Sequence, residues 1–386
     1  MNKNNPLLIT CAKGIGPFLA SELKVLGFPV LKKTAAGIET KGSFSDTMQL
    51  NLYLRTAHRV LFLLENFQAE DSEDLYRETI KIPWEKYIPQ DGYVTVVSSV
   101  LNPTIRDSRF ANVRCKDAIV DRIRKKTGAR PDSGSRTDKA VIYLYWKNES
   151  VSVYLDTSGV PLARRGYRKI PMSAPMQETL AAAVVLASDY QGEGSFINPM
   201  CGSGTIAIEA ALIALHKAPG LLRSNFGFKH ILGFEPELWK EMRIKARNSA
   251  FRSLPQKILA TDIDKKAVSA AGKNAMTAGV DQFIDFKVCD FRHTDIPEGK
   301  GKIILNPPYG ERMGEKKKLE KVYRSIGDFF KHECQGYQGY IFTGNPALAK
   351  KVGLKASKRI PFYSGPLDCR LLEYELYPGT KRFPAA

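Results

Sequence analysis

The tetrad Asn306-Pro307-Pro308-Tyr309 follows the apolar run Lys302-Ile303-Ile304-Leu305. Its residue types suit the activation of a weakly nucleophilic exocyclic amine. The lone pair of such an amine is delocalised into a ring, so the nitrogen attacks only once its hydrogens are held by acceptors. An Asn side-chain oxygen and a backbone carbonyl from a rigid Pro307-Pro308 turn can accept those two hydrogens while an aromatic ring, Tyr309, holds the base face-on. Proline fixes φ and carries no N–H, so the Pro307 carbonyl can point inward without a competing donor. Taken alone, the tetrad is equally an ordinary turn after a strand.

Upstream lies Asn198-Pro199-Met200-Cys201-Gly202-Ser203-Gly204-Thr205. Phe196-Ile197 reads as a short buried strand, Gly202 and Gly204 as a tight turn, and Thr205 to Leu212 as a helix. Strand, glycine loop and helix together bring backbone close to a cofactor at the C-terminal edge of a parallel sheet. The third glycine of a dinucleotide fingerprint is missing, and no Lys-Ser or Lys-Thr follows the second glycine as in a phosphate loop. A nucleoside carrying an amino acid therefore suits the loop better than a diphosphate. Cys201 sits inside it, in a place that favours loop packing over covalent catalysis.

A ribose needs a carboxylate at the end of the next strand, and Ile258-Leu259-Ala260-Thr261-Asp262-Ile263-Asp264 offers one. Asp262, with Ile263 beside it, is the candidate for the ribose hydroxyls, and Asp264 for the N-cap of a helix from Ala267 to Ala278 closed by Gly279. An insertion from about 216 to 253 lengthens the usual interval between loop and acid and creates a second candidate, Glu235. Further on, Asp290 could accept a hydrogen bond from an adenine amine and Phe291 could flank its ring. Loop, acid, acid and Asn-Pro-Pro-Tyr, in that order, read as methyl transfer to an exocyclic amino nitrogen.

Asn198 to Thr205, Asp262-Ile263-Asp264, Asp290 and Asn306-Pro307-Pro308-Tyr309-Gly310-Glu311-Arg312 resemble the THUMP-domain class I RNA methyltransferases. Within that group the chain is most similar to bacterial enzymes that form N2-methylguanosine in large-subunit (23S) ribosomal RNA. Ala174-Pro175-Met176-Gln177-Glu178-Thr179-Leu180-Ala181-Ala182 and Arg164-Arg165-Gly166-Tyr167-Arg168 are further matches. The resemblance implies an α/β fold: a Rossmann-like, seven-stranded C-terminal methyltransferase domain preceded by ferredoxin-like and THUMP α+β domains. It implies S-adenosylmethionine as cofactor, bound by Asn198, Pro199, Cys201, Gly202, Ser203, Gly204, Thr205, Asp262, Ile263, Asp290, Phe291 and Asn306. Asn306, Pro307, Pro308 and Tyr309 are then catalytic. Some relatives carry a second methyltransferase domain, and with the chain read to Ala386 one active site is expected.

The order of elements places a ferredoxin-like domain at 1–66, the THUMP domain at 67–157, a basic linker at 158–170 and the catalytic domain at 171–386. A net charge of +18 over 386 residues and a pI near 9.5 imply an electropositive surface that attracts polyanions. RNA is the expected partner, as 23S ribosomal RNA or a pre-ribosomal particle. A basic helix from Ser108 to Lys126 carries Arg106, Arg109, Arg114, Arg122, Arg124 and Lys125 at or near it as candidate phosphate contacts. Its apolar set, Phe110, Val113, Ile119, Val120 and Ile123, is expected to pack on a sheet. Arg164, Arg165 and Arg168 could line the path from docking surface to pocket, or form a salt-bridged hinge.

Six scattered cysteines lack zinc-site spacing, so no metal is expected, and they suit reduced thiols in a cytoplasmic protein. Leu7-Leu8-Ile9 is too short for a membrane span or signal peptide, so neither membrane nor targeting is expected. Four other readings share some of these features. A DNA adenine methylase or a protein-glutamine methyltransferase uses the same tetrad chemistry without the RNA-binding units. A transfer-RNA guanine methyltransferase keeps both, and a non-catalytic assembly protein would show decayed motifs.

Overall fold

The computed structural model describes residues 4–170, 172, 175–310 and 316–377. Glu311, Arg312, Ala174 and the expected domain start at Pro171 lie outside them. The chain divides into two compact units. The first comprises Met1–Cys11, Leu19–Arg164 and Ala218–Asn248, and the second Ala12–Phe18, Arg165–Lys217 and Ser249–Ala386.

The first unit holds β1 (Asn5–Thr10), most of α1 (Gly16–Val25), β2 (Lys32–Lys33), β3 (Gly37–Gly42), α2 (Phe44–Tyr53) and β4 (Arg59–Gln68). It continues with α3 (Ser72–Thr79), β5 (Tyr93–Leu101), α4 (Ser108–Thr127), β6 (Asp132–Ser133), β7 (Ala140–Lys147) and β8 (Ser150–Asp156). Two separate α+β units were the expectation, but the strands form one eight-stranded sheet, β2-β3-β1-β4-β8-β7-β5-β6. β4 joins the halves. It pairs antiparallel with β1 on one side and with β8 on the other, from Leu61↔Asp156 to Gln68↔Ser150, so the expected break between 66 and 67 falls inside a strand. Asp46, three residues after the N-cap of α2, closes a capping box. Ser43 is the N-cap, and the Asp46 carboxylate accepts its backbone N–H at 2.7 Å.

On α4 the buried stripe is Ala111, Cys115, Ala118, Ile119, Val120 and Ile123. Phe110 and Val113 lie off that stripe and are 52% and 48% exposed, which corrects their expected place against the sheet.

The second unit begins with α5 (Glu178–Ala187), β9 (Ser195–Pro199) and α6 (Thr205–Ala214). The chain then returns to the first unit for α7 (Pro236–Asn248), where Phe226, Phe228 and Trp239 join that unit's core as a stacked and edge-on aromatic cluster. It resumes with β10 (Ile258–Asp262), α8 (Lys265–Ala278), β11 (Ile284–Val288), β12 (Gly301–Leu305), α9 (Lys316–His332), β13 (Gln338–Thr343), α10 (Pro346–Ala349), β14 (Lys358–Ser364) and β15 (Leu367–Glu375). The seven strands run β11-β10-β9-β12-β13-β15-β14. All neighbours are parallel up to β13, and β15 is antiparallel to both β13 and β14. This is the expected fold class. Strand order reverses at β9, between β10 and β12, and the crevice at such a switch point is where open α/β sheets bind ligands. Among the described residues no helix is long and apolar enough to cross a membrane.

Candidate active site at the sheet switch point

The glycine loop leaves β9 at Pro199 and turns sharply. Met200, Gly202 and Gly204 take φ of 56°, 55° and 81°, and the Gly204 N–H closes the turn on the Cys201 carbonyl at 2.9 Å. The two glycines answer different demands. A Cβ on Gly204 would meet the Ala271 Cβ of α8 at 2.8 Å, whereas one on Gly202 would meet nothing within 4 Å. Gly204 lets the loop approach a helix, and Gly202 faces open space of the kind a cofactor fills. Gly204→Ala is expected to destabilise the protein by about 1–3 kcal/mol through overpacking at a positive φ. Chemical denaturation measures it.

Asp262 ends β10 and is tied to the loop. Its Oδ2 accepts the Gly202 N–H at 2.9 Å and its Oδ1 the Asp264 N–H at 3.0 Å. A carboxylate offers about four lone-pair sites, so two remain for hydroxyl donors. Asp264 caps α8 through the Lys266 N–H, as expected. Ile263 is 72% exposed directly beside Asp262, an apolar side chain suited to lie against a ring. Glu235, the rival acid, belongs to the first unit rather than to the unit that carries the glycine loop, and accepts the Ser45 hydroxyl at 2.7 Å.

One expected cofactor ligand, Phe291, is placed differently. Phe291 is buried in the core, edge-on to Phe329 at 5.7 Å, so its ring is not available to flank an adenine. Asp290 caps the short turn Phe291–His293, and its carboxylate is gripped by the Arg292 guanidinium, which holds its pKa below the ordinary value. Three donors of Arg292 occupy it, and one lone pair on Oδ2 stays open. Burial, and then Asp262, push the Cys201 thiol far up, so it cannot serve as a thiolate nucleophile.

Asn306 follows β12 at the same sheet edge. Its Oδ1 is buried and finds no hydrogen-bond partner among the described residues, and the same holds for Oδ1 of Asn198 on β9. Asn198 Nδ2 donates to the Ile304 carbonyl at 2.8 Å, fixing the amide across the switch point. A buried unpaired acceptor costs about 1–3 kcal/mol, a cost a bound donor would remove. Pro307 is buried, Pro308 exposed and Tyr309 half-buried. Burial, with Cys369 alongside, pushes the Tyr309 phenol up to about 12, so it stays neutral and is no base. An open cavity of about 500 Å³ lies against the first turns of α8, lined by Ile170, Asp264, Lys265, Lys266, Ser269 and Ala270.

Some positioning residues escaped the sequence reading. Asn274 of α8 is fully buried; its Oδ1 accepts the Lys169 and Ile170 N–H groups at 2.9 and 3.2 Å, and its Nδ2 donates to the Ser203 carbonyl at 3.2 Å. It lies on the buried alanine face of α8, spaced three and four residues from Ala271, Ala270 and Ala278, which is a legible signal. Glu209 is the lone charge in a fully buried ten-residue helix, and such a charge demands a partner. Arg165 meets the Glu209 carboxylate at 2.9 Å, and the Tyr167 hydroxyl donates to that carboxylate at 3.0 Å.

Arg165 is therefore withdrawn from RNA contact: its side chain is 2% exposed. Arg168, mostly buried, donates to the Met176 carbonyl and Thr205 Oγ1 and faces Glu178 at 3.6 Å, which ties it to the start of α6. Glu209→Ala would strand the buried guanidinium, with an expected loss of about 3–5 kcal/mol of unfolding free energy in a denaturant titration. Along α4, Arg109, Arg114 and Arg122 are engaged by Asp107, Glu73 and Glu85. Arg106, Arg124, Lys125 and Arg164 are exposed.

Comparison with known proteins agrees with this geometry. Residues 165–373 match the RMKL-like methyltransferase domain, residues 6–61 the RlmL ferredoxin-like domain and residues 69–156 the THUMP domain. A ribosomal RNA large subunit methyltransferase K/L from Syntrophotalea carbinolica is 38% identical over 95% of the chain, but the match covers 53% of that protein. The chain thus spans about half the length of such curated relatives. A Synechocystis protein provisionally named an RNA methyltransferase is 33% identical over 96% of this chain and 97% of its own. The crystal structure of SMU.472, provisionally assigned as a methyltransferase and complexed with SAH, superposes with a TM-score of 0.88 at 28% identity, over 99% of this chain and 100% of the other. With the domain model spanning residues 165–373 and a relative matched along nearly its whole length, the chain belongs to the RMKL-like methyltransferases that carry RlmL-type ferredoxin-like and THUMP domains.

Proposed function

We propose that the chain is an S-adenosylmethionine-dependent RNA methyltransferase that forms N2-methylguanosine in 23S ribosomal RNA, and so acts in the cytoplasm. The observation that carries this reading is the buried Oδ1 of Asn306, unpartnered among the described residues, one strand from the strand that leads into the Gly202 loop. The cradle fits the cofactor. Gly202 leaves space for it, Asp262 keeps two lone pairs for ribose hydroxyls, and Ile263 offers an apolar face. When bound, the cofactor supplies an electrophilic sulfonium methyl.

The chain's own residues do the rest. The target guanine leaves its stack and enters the site. Asn306 Oδ1 and the Pro307 carbonyl accept the two hydrogens of the exocyclic amine, which orients its nitrogen and raises its electron density. Tyr309 holds the base by stacking. Residues 67–157 dock the RNA, 158–170 form the link and 171–386 carry the chemistry. Arg106, Arg124, Lys125 and Arg164 meet phosphates, which position the RNA without reading its sequence. The choice of RNA rests on the charge of +18, the THUMP match and the curated relatives named for the ribosomal large subunit. Nucleoside mass mapping of RNA from cells lacking and regaining the gene tests it. One N2-methylguanosine should vanish from 23S RNA and return; its loss from transfer RNA instead would reassign the substrate.

A further inference from the structure

The segment Ala218–Asn248 lies in sequence within the methyltransferase domain yet folds into the first unit, and it brings cations with it. Asn225 docks it: Nδ2 donates to the Asp138 carbonyl at 2.6 Å, and Oδ1 meets His230 Nε2 at 2.9 Å. Lys229 is held by the Ser224 carbonyl at 2.7 Å, and Arg243 by the Arg223 and Leu221 carbonyls at 3.1 and 3.5 Å. Carbonyls fix these head groups without neutralising them. The carboxylate that acts on His230, Asp138, is already paired with Arg136 at 3.0 Å. Among the described residues Lys139, Lys229, Arg243 and Arg247 make no ion pair.

Resting on the proposed action on RNA, we propose that Lys139 and Lys229, which flank His230, together with Arg243 beside Lys229 and Arg247 beside Arg243, form a second RNA-docking surface that binds phosphodiester groups. Like charges are held together here at a cost that a polyanion removes. Burial, and then Arg243, lower the pKa of Lys229; burial, and then Arg247, lower that of Arg243. Burial, Lys139 and Lys229 lower that of His230, against the pull of Asp138. Unlike Arg109, Arg114 and Arg122 of α4, these cations have no carboxylate to exchange for phosphate, so each phosphate they bind adds to affinity outright. The surface also accounts for the placement of α7, which an insertion serving only the catalytic sheet would not require.

The test uses the full chain, a fluorescein-labelled RNA hairpin and a salt titration. The Lys139 and Arg247 side chains make no hydrogen bond to other described residues, and Lys139→Gln/Arg247→Gln, which removes two crowded like charges, should not lower the thermal midpoint. It should weaken RNA binding on the order of tenfold at low salt and flatten the log–log salt slope by about 0.7–0.9 for each phosphate no longer held. Lys240→Gln, a neutralisation on the same helix but at a residue facing Glu237, should leave the slope alone. A double variant no different from Lys240→Gln overturns the surface, as does one that loses binding to poly-glutamate rather than RNA. Methyl transfer at saturating RNA is read in parallel. Its absence in the unsubstituted chain refutes the proposed function, whereas an unchanged slope with transfer intact refutes only the surface.

Discussion

Asn306→Ala should lower methyl transfer on the order of 10²-fold while cofactor affinity stays nearly intact, because the hydrogen bond it removes belongs to the acceptor amine. The structure adds a sharper expectation. Asn306 Oδ1 is a buried acceptor with no partner among the described residues, so its removal should cost no stability and could even raise the unfolding free energy. A structural asparagine would behave oppositely, losing stability and activity together. Single-turnover kinetics with calorimetry of cofactor binding and a denaturation curve separates the two. Tyr309→Ala should likewise slow transfer, whereas Tyr309→Phe should retain it, since the phenol stays neutral far above physiological pH and its ring is the working part.

Asp262→Ala should act on the other substrate. Losing one charge-assisted bond to a ribose hydroxyl, about 1.5–3 kcal/mol, is expected to weaken S-adenosylmethionine binding by roughly one to two orders of magnitude. Asp262 also accepts the Gly202 N–H, so the alanine variant loosens the loop it serves. Asp262→Asn keeps one acceptor oxygen without the charge and should fall between the two. Calorimetry reads both, and an unchanged affinity in the alanine variant would detach the cofactor from this strand end. Glu235→Ala should have no such effect, because its carboxylate belongs to the first unit and holds Ser45.

What the sequence made legible was local. The glycine loop, Asp262, the Asp264 cap and the tetrad each announce themselves within a few residues, through turn chemistry and strand ends. What it hid depends on partners far along the chain. Nothing local says that β4 pairs with β8 across the expected boundary, or that the insertion carrying Glu235 packs in the first unit. Arg165 looked like a phosphate ligand because its partner, Glu209, lies 44 positions on inside an apolar helix. Phe291 shows the limit of motif order, since its place after Asp290 suggested a ring clamp and the core of α9 took the ring. Phe110 and Val113 passed as core by helical spacing with Ile119, Val120 and Ile123, and the phase set by Ala111 and Cys115 turns them outward.

The most direct test supplies the purified chain with S-adenosylmethionine carrying a deuterated methyl group and with unmodified 23S ribosomal RNA, then digests the RNA and weighs its nucleosides. The account predicts the heavy methyl on the exocyclic N2 of guanosine, and its near-complete loss with Asn306→Ala. Label on the N6 of adenosine, or RNA left unlabelled while duplex DNA is methylated, would contradict it.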